Sequence, residues 1–361
     1  MNPRFSIVIP TKDRIDLAKR AIIYNLAQTF TDFEIVVIDN STTDELWMWL
    51  STQSDRRVRG VRTGGLNMPD NWQRGFDEAK GDIILMSEDK IFLASDCLEI
   101  CADVFSAREA HFITWPIGNS DNSPDKPSFK RKPAFRIVKS ESIIDTALEC
   151  KLDVYQKIAP RGINAAVKRD FARALQNRNG RLFRPMSPDY SFGCFLLSGA
   201  EDFLNTSEIL ATIPKNSPSN GSDVARNTEK GKRFFDELGI QRDDTTKDMP
   251  CKQPLFGNMI LADMLGFWRS SQLGDLKNRL NICSYWLMIV ADILLSRKII
   301  AGDPPYVRPC LDEIQALSYA QRARIFLYAL KRYFSGWPNR KLKMRDNMPD
   351  FIKAACIILM P

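Results

Sequence analysis

The residues best suited to chemistry are two adjacent carboxylates, Glu88 and Asp89, followed by Lys90. They close the run Gly-Asp-Ile-Ile-Leu-Met-Ser-Glu-Asp-Lys over residues 81–90, whose apolar part, residues 82–86, reads as a short buried strand. Carboxylates at the C-terminal end of a strand in an open α/β sheet stand at the edge where ligands bind. Neighbouring carboxylates repel each other unless a positive charge lies beside them. A divalent cation on a diphosphate supplies such a charge, and so does an ordinary lysine such as Lys90. A solvated acidic turn has the same local sequence, so the elements around it must decide. A second carboxylate of interest is Asp189. Ser187 reads as an N-cap and Pro188 as a first helical residue, which puts Asp189 in the first turn of an apolar helix running to about residue 200. The helix dipole favours a negative charge there.

The elements that must position these groups begin with a β-branched strand over residues 4–9. Pro10 ends it, and Thr11, Lys12, Asp13 and Arg14 form the loop above it. A helix over residues 16–28 turns Leu17, Ala21, Ile22 and Leu26 inward, and a second strand over residues 33–38 ends at Asp39. This strand–helix–strand unit builds a parallel sheet with a right-handed crossover. Asp39 can accept hydrogen bonds from a ribose or base, or simply turn the chain into the next helix. No GxGxxG follows the first strand and no GxxxxGK[ST] occurs, which argues against dinucleotide and P-loop folds. Further on, the sequence predicts a helix over residues 45–51, a weak strand over 58–62, and a helix over 69–80 with Trp72, Phe76 and Ala79 inward and Gly81 as its stop. A helix capped by Ser95, ending near Phe105, precedes a strand over residues 112–116. Residues 118–139 read as a long loop, either a lid that orders over a ligand or a plain surface loop. Helices are expected over residues 142–155 and 165–175, with Arg161 to Asn164 between them. A strand over 208–213 then leads to a loop at Asn220-Gly221 near the acceptor site.

The 361 residues allow two domains or one domain with a large extension, and the composition is that of an ordinary globular chain. Eight cysteines without a CxxC pair, and no signal peptide, read as reduced thiols of a cytoplasmic protein. One histidine, His111, leaves little for a Cys/His metal site. No apolar run reaches the ~18 residues of a membrane span. From residue 322 to 345 the chain has eight basic residues and no acidic one, with five aromatics between them. This is a solvated helix face or a surface for anionic lipid or nucleic acid. Residues 228–361 are mostly helical by pattern, in helices over 256–268, 276–296 and 309–333 and an apolar tail over 351–360, and residues 230–248 are charged and exposed.

In order and spacing, Ser-Ile-Val-Ile-Pro-Thr at 6–11, Ile-Val-Val-Ile-Asp-Asn-Ser at 35–41, Asn-Trp-x-x-Gly at 71–75, Ala-x-Gly-Asp-Ile-Ile at 79–84 and Ser-Glu-Asp-Lys at 87–90 resemble the nucleotide-binding half of the inverting family 2 GT-A glycosyltransferases. The resemblance covers residues 5–115 well and a later segment less well. It implies an α/β fold of GT-A type, a Rossmann-like mixed sheet flanked by helices, over residues 1–227, with a helical C-terminal region over 228–361. It implies inverting transfer of a sugar from a nucleoside diphosphate sugar to a glycan or lipid-linked glycan acceptor, in bacterial surface polysaccharide synthesis. Pro10, Thr11, Lys12, Asp13, Arg14, Asp39, Arg74 and Glu88 would then bind the nucleotide, Asp89 would hold Mn2+ or Mg2+ on the diphosphate, and Asp189 would be the general base. Peripheral membrane contact through the basic C-terminal region fits such a partner, and nucleic acid is not expected. Lys12 stands where the family has an aromatic, and Lys90 where a third acid or Asn is common. A nucleotidyltransferase and a GT-A-like binding module without catalysis are the competing readings. The first normally has a Gly-rich basic loop after the first strand, which Pro10-Thr11-Lys12 is not.

Overall fold

A computed structural model describes residues 2–120, 133–184, 186–214, 220–225, 227–271, 273–299, 306–334 and 358–359. It divides into two compact units: residues 1–145, 153–218 and 266–275 form the first, and residues 146–152, 219–265 and 276–361 the second.

The first unit opens with alternating strands and helices: β1 (Phe5–Thr11), α1 (Ile15–Leu26), β2 (Phe33–Asp39), α2 (Glu45–Ser51), β3 (Val58–Arg62), α3 (Met68–Glu78) and β4 (Ile83–Met86). The apolar runs of β1, β2 and β4 are buried along their whole length, as strands covered on both faces must be. There follow β5 (Phe92–Leu93), α4 (Cys97–Ala107), β6 (Phe112–Thr114), β7 (Ile117–Ser120), β8 (Phe135–Lys139), α5 (Ser140–Leu148), α6 (Leu152–Ile158), β9 (Ala165–Lys168), α7 (Arg169–Asn179), α8 (Pro188–Gly199), β10 (Asp202–Thr206) and β11 (Ala211–Pro214). Among the described residues the main sheet has eight strands in the order β3-β2-β1-β4-β9-β6-β10-β8. β9 runs antiparallel to β4 and β6, and β8 antiparallel to β10, while the remaining pairs are parallel. A smaller sheet joins β5, β11 and β7. This is the mixed, helix-flanked α/β architecture expected from the sequence.

Several local expectations are corrected. Residues 165–168 are strand, not helix: between β4 and β6, tertiary pairing outweighs the helix propensity of Ala165 and Ala166. The residues read as a loop over 118–139 begin and end in β7 and β8, while residues 121–132, on which the lid reading falls, lie outside the described residues. On α1 the buried side chains are Ala18, Ala21, Ile22 and Asn25, so the inward face is rotated away from Leu17 and Leu26. Asp96, not Ser95, occupies the cap position of α4. Gly81 is not a helix stop; a β-carbon there would fall 2.5 Å from the Phe5 carbonyl carbon and the Ser6 nitrogen. Its N–H donates to Ser6 Oγ at 2.7 Å. The glycine permits close approach of the chain to β1.

The second unit, beyond part of α5 and the first part of α11, is helical: α9 (Asn220–Ala225), α10 (Glu229–Leu238), α11 (Phe256–Ser270), α12 (Ile282–Ile299), α13 (Val307–Ala316) and α14 (Tyr319–Phe334). Asn220-Gly221 therefore starts a helix rather than lying in a loop. α10 begins at Thr228, whose hydroxyl accepts from Gly231 N at 3.1 Å, and stops at Gly239 in the left-handed region, φ 66°. Phe234 and Phe235 are buried, so the charged stretch over 230–248 is only partly exposed. Asp292 on α12 accepts from Gly257 N at 2.8 Å, capping the start of α11 from another helix. Tyr285 OH receives Cys251 N and donates to Asn258 Oδ1, whose amide returns to Cys251 O, a closed buried network. Of the basic segment over 322–345, only residues 322–334 are described. No helix among the described residues is long and apolar enough to cross a membrane.

Candidate active site

The site lies at the C-terminal edge of the main sheet, where β1, β2 and β4 end side by side. In register, Thr11 stands opposite Asp39, and two residues past Met86 the chain reaches Glu88. One strand separates Asp39 from Asp89, which sets their backbones about 10 Å apart. Thr11 joins the two sides: it stands beside Asp39 across the β1–β2 pair, and its hydroxyl donates to Asp89 Oδ2 at 2.8 Å.

The acidic turn is tight, with Ile91 N donating to Glu88 O at 3.0 Å. Two buried amides of the α1 segment hold the chain that follows. Asn25 donates to Ile91 O and accepts from Leu93 N, and Gln28 donates to Ala94 O and accepts from Leu98 N. Each amide saturates backbone groups that would otherwise be buried without partners. Within the turn Asp89 is 2% exposed. Its Oδ1 pairs with Arg14 Nη1 at 3.3 Å. Burial pushes its pKa up, Arg14 and Thr11 oppose that, Glu88 adds to it, and Lys90 counters. Lys90 Nζ lies 3.0 Å from Glu88 Oε2.

Antiparallel β9 brings a further loop to the same edge. Asn164, just before β9, donates to Trp115 O and Ala159 O and accepts from Arg161 N at 2.6 Å. The loop so fixed presents Arg161 to α8. Arg161 Nε and Nη2 both donate to Asp189 Oδ2, at 2.9 and 2.6 Å. Among the described residues no donor reaches Asp189 Oδ1. The guanidinium also covers the Tyr190 ring at 4.8 Å, and Gln156 donates to Tyr190 OH at 2.7 Å. Burial disfavours the Arg161 charge, but Asp189 outweighs it and raises the pKa, with Glu88 close enough to contribute. Two glycines allow this packing. A β-carbon at Gly193 would meet Pro160 O at 1.9 Å. One at Gly162 would fall 2.9 Å from the Trp72 ring, 3.4 Å from Met86 Cβ and 3.7 Å from Asp189 Cα. The end of β4 and the start of α8 are thus neighbours.

The expected site residues divide accordingly. Thr11, Arg14, Glu88, Asp89 and Asp189 come together. Pro10 is a buried strand residue, and Lys12 is half-buried in the loop beyond it. Asp13, at φ 54°, ties that loop to the next by accepting from Thr42 N and Oγ1. Asp39 is fully buried, with Oδ1 accepting from Ser41 N at 3.0 Å and Oδ2 from Arg62 at 3.0 Å. In this conformation it anchors the loop and Arg62 and offers no face to a ligand. Arg74 is not at the site. It pairs with Glu78 one turn on, and Glu78 joins Arg59 and Glu34. That network lies at the opposite edge of the sheet, about 16 Å along β2 from Asp39. The sequence reading missed Arg161, Arg62, Asn25, Gln28 and Asn164. The only signal for Arg161 was its place before a glycine in a short segment between elements. The His111 ring stacks on Phe171 at 4.3 Å.

The acidic turn fits a resident Mn2+ or Mg2+ poorly. Such ions need oxygen ligands free of competing cations. Both Asp89 oxygens are engaged, and Glu88 is paired with an ammonium. Among the described residues no three His, Cys, Asp or Glu side chains are placed to hold an ion.

Residues 6–168 match Glycosyl transferase family 2. Over those residues the chain carries a family 2 glycosyltransferase domain, set in the mixed α/β fold described above. Similar solved structures include residues 1–349 of TarS from S. aureus in complex with UDP-GlcNAc, at 15% identity over 89% of this chain and 83% of that one, TM-score 0.46. Another is the mannosyltransferase PcManGT from Pyrobaculum calidifontis in complex with GDP-Man and Mn2+, at 14% identity over 99% and 87%, TM-score 0.44. No curated protein matches the sequence.

Proposed function

We propose that the chain transfers a sugar, with inversion, from a nucleoside diphosphate sugar to an acceptor hydroxyl, and that Asp189 is the base. The observation that carries this reading is the anchored carboxylate beside the acidic turn: Asp189 Oδ2 is held by two Arg161 N–H groups while Oδ1 stays open to a proton. The nucleotide lies over the ends of β1 and β2, along the loops of Thr11, Lys12 and Asp13 and beside Arg62. The diphosphate lies at Glu88 to Lys90. As the acceptor oxygen attacks the anomeric carbon, that carbon gains oxocarbenium character and its bond to the phosphate oxygen breaks on the opposite face. The acceptor proton passes to Asp189, a transfer worth roughly 10²–10⁴-fold in rate. One base and no covalent intermediate suffice. A glycan or lipid-linked glycan acceptor, a cytoplasmic location with the basic C-terminal region against a membrane surface, and a role in surface polysaccharide assembly complete the proposal.

A thermal-shift screen of UDP, GDP, CDP and dTDP sugars, followed by identification of the product, tests it. One donor should raise the melting temperature and release the nucleoside diphosphate. Release of pyrophosphate would mark a nucleotidyltransferase, and binding without turnover a binding module.

A further inference from the structure

Glu88 and Asp89 each stand within ion-pair distance of a cation, Lys90 at 3.0 Å and Arg14 at 3.3 Å. Two carboxylates with two protein cations have the same local charge as two carboxylates around one divalent ion. Both cations are fixed by the fold. Lys90 sits inside the turn closed by Ile91 N and Glu88 O, and Arg14 directly precedes α1, whose Asn25 holds the chain after that turn. Arg14, Lys90 and Glu88 keep 16%, 12% and 20% of their side-chain surface exposed, whereas Asp89 keeps 3%. An incoming phosphate can reach the cations; a metal ion can reach Asp89 only by displacing Thr11 or Arg14.

We infer that Lys90 and Arg14, in place of a divalent ion, supply the positive charge that binds the donor's diphosphate and stabilises it as it leaves. This rests on the reading of the donor as a nucleoside diphosphate sugar. A guanidinium offers paired N–H groups that match phosphate oxygens, and an ammonium is a compact point charge. When the bond from the anomeric carbon to the phosphate oxygen breaks, the electron pair stays on the diphosphate. The two cations, shared with Glu88 and Asp89 beforehand, then face the added charge.

Calorimetric titration of the full chain with UDP, GDP, CDP and dTDP, in chelator and again in Mn2+ or Mg2+, tests this. At least one nucleotide should bind in chelator, with an affinity within about threefold of that in metal. Lys90→Ala and Arg14→Gln should each weaken binding in chelator by about tenfold or more, with Lys90→Arg recovering most of it. Lys90→Asp, which adds a third carboxylate, should bind only with metal. Melting curves identify any variant that fails to fold. Wild-type binding abolished by chelator and restored by Mn2+ or Mg2+ would overturn the inference, as would a folded Lys90→Ala that binds unchanged in chelator. Absence of binding to any nucleoside diphosphate with and without metal would instead defeat the nucleotide-sugar reading, and this inference with it.

Discussion

Arg161 gives Asp189 its direction. Both N–H groups converge on a single oxygen, Oδ2, while Tyr190 and the Asn164-fixed loop keep the guanidinium from swinging away. A carboxylate so held has its second oxygen aimed by geometry rather than by chance rotation. Arg161→Ala should therefore lower kcat by about tenfold to a hundredfold, because the carboxylate loses its fixed direction. Arg161→Lys should recover part of the rate but not the full value, since one ammonium cannot make the paired contact. Steady-state kinetics at saturating donor checks both. A purely structural role would lower the amount of folded enzyme and leave kcat per folded molecule unchanged.

At the scale of elements, the site is built by close approach. α8 reaches Arg161 only because Gly193 has no side chain facing Pro160 O. Gly193→Ala should cost about 2 kcal/mol or more in urea unfolding, and the residual folded enzyme should turn over slowly because the start of α8 is pushed away from Arg161. Unchanged stability and rate would contradict this packing. The elements also explain what the sequence revealed. β1, β2 and β4 were legible because unbroken β-branched runs leave few alternatives, and so was the start of α8 at Pro188. β9 was not, because Ala165 to Lys168 becomes a strand only through partners in β4 and β6, roughly 50 to 85 residues earlier in the chain. Asn25 and Gln28 were missed for a related reason. On a helix a polar side chain reads as solvent face, and nothing local announces that its partners are buried backbone groups. Arg161 shares that opacity: its carboxylate partner lies 28 residues on.

For the molecule as a whole, stability against pH should carry the mark of Asp292 in the second unit. Burial, partly offset by the Gly257 and Asn258 N–H groups, raises its pKa from 3.8 to about 7. The folded chain thus keeps a proton that the unfolded chain gives up. Its stabilising contribution is complete below pH 3.8 and is lost as pH rises through about 7. Asp292→Asn keeps an acceptor for Gly257 N and stays neutral. It should melt above wild type at pH 8, with the gap narrowing as pH falls toward 4, in thermal unfolding at matched ionic strength. Parallel curves would show that the carboxylate is not desolvated in solution.

The central claim, that one cleft binds the donor and Asp189 performs the proton transfer there, is tested most directly by Asp189→Asn. Donor affinity by titration and nucleoside diphosphate release by turnover should be measured on the same preparation. Affinity is predicted to stay within about threefold while release falls by about 100-fold or more. Equal loss of both, or release at the wild-type rate, would contradict the account.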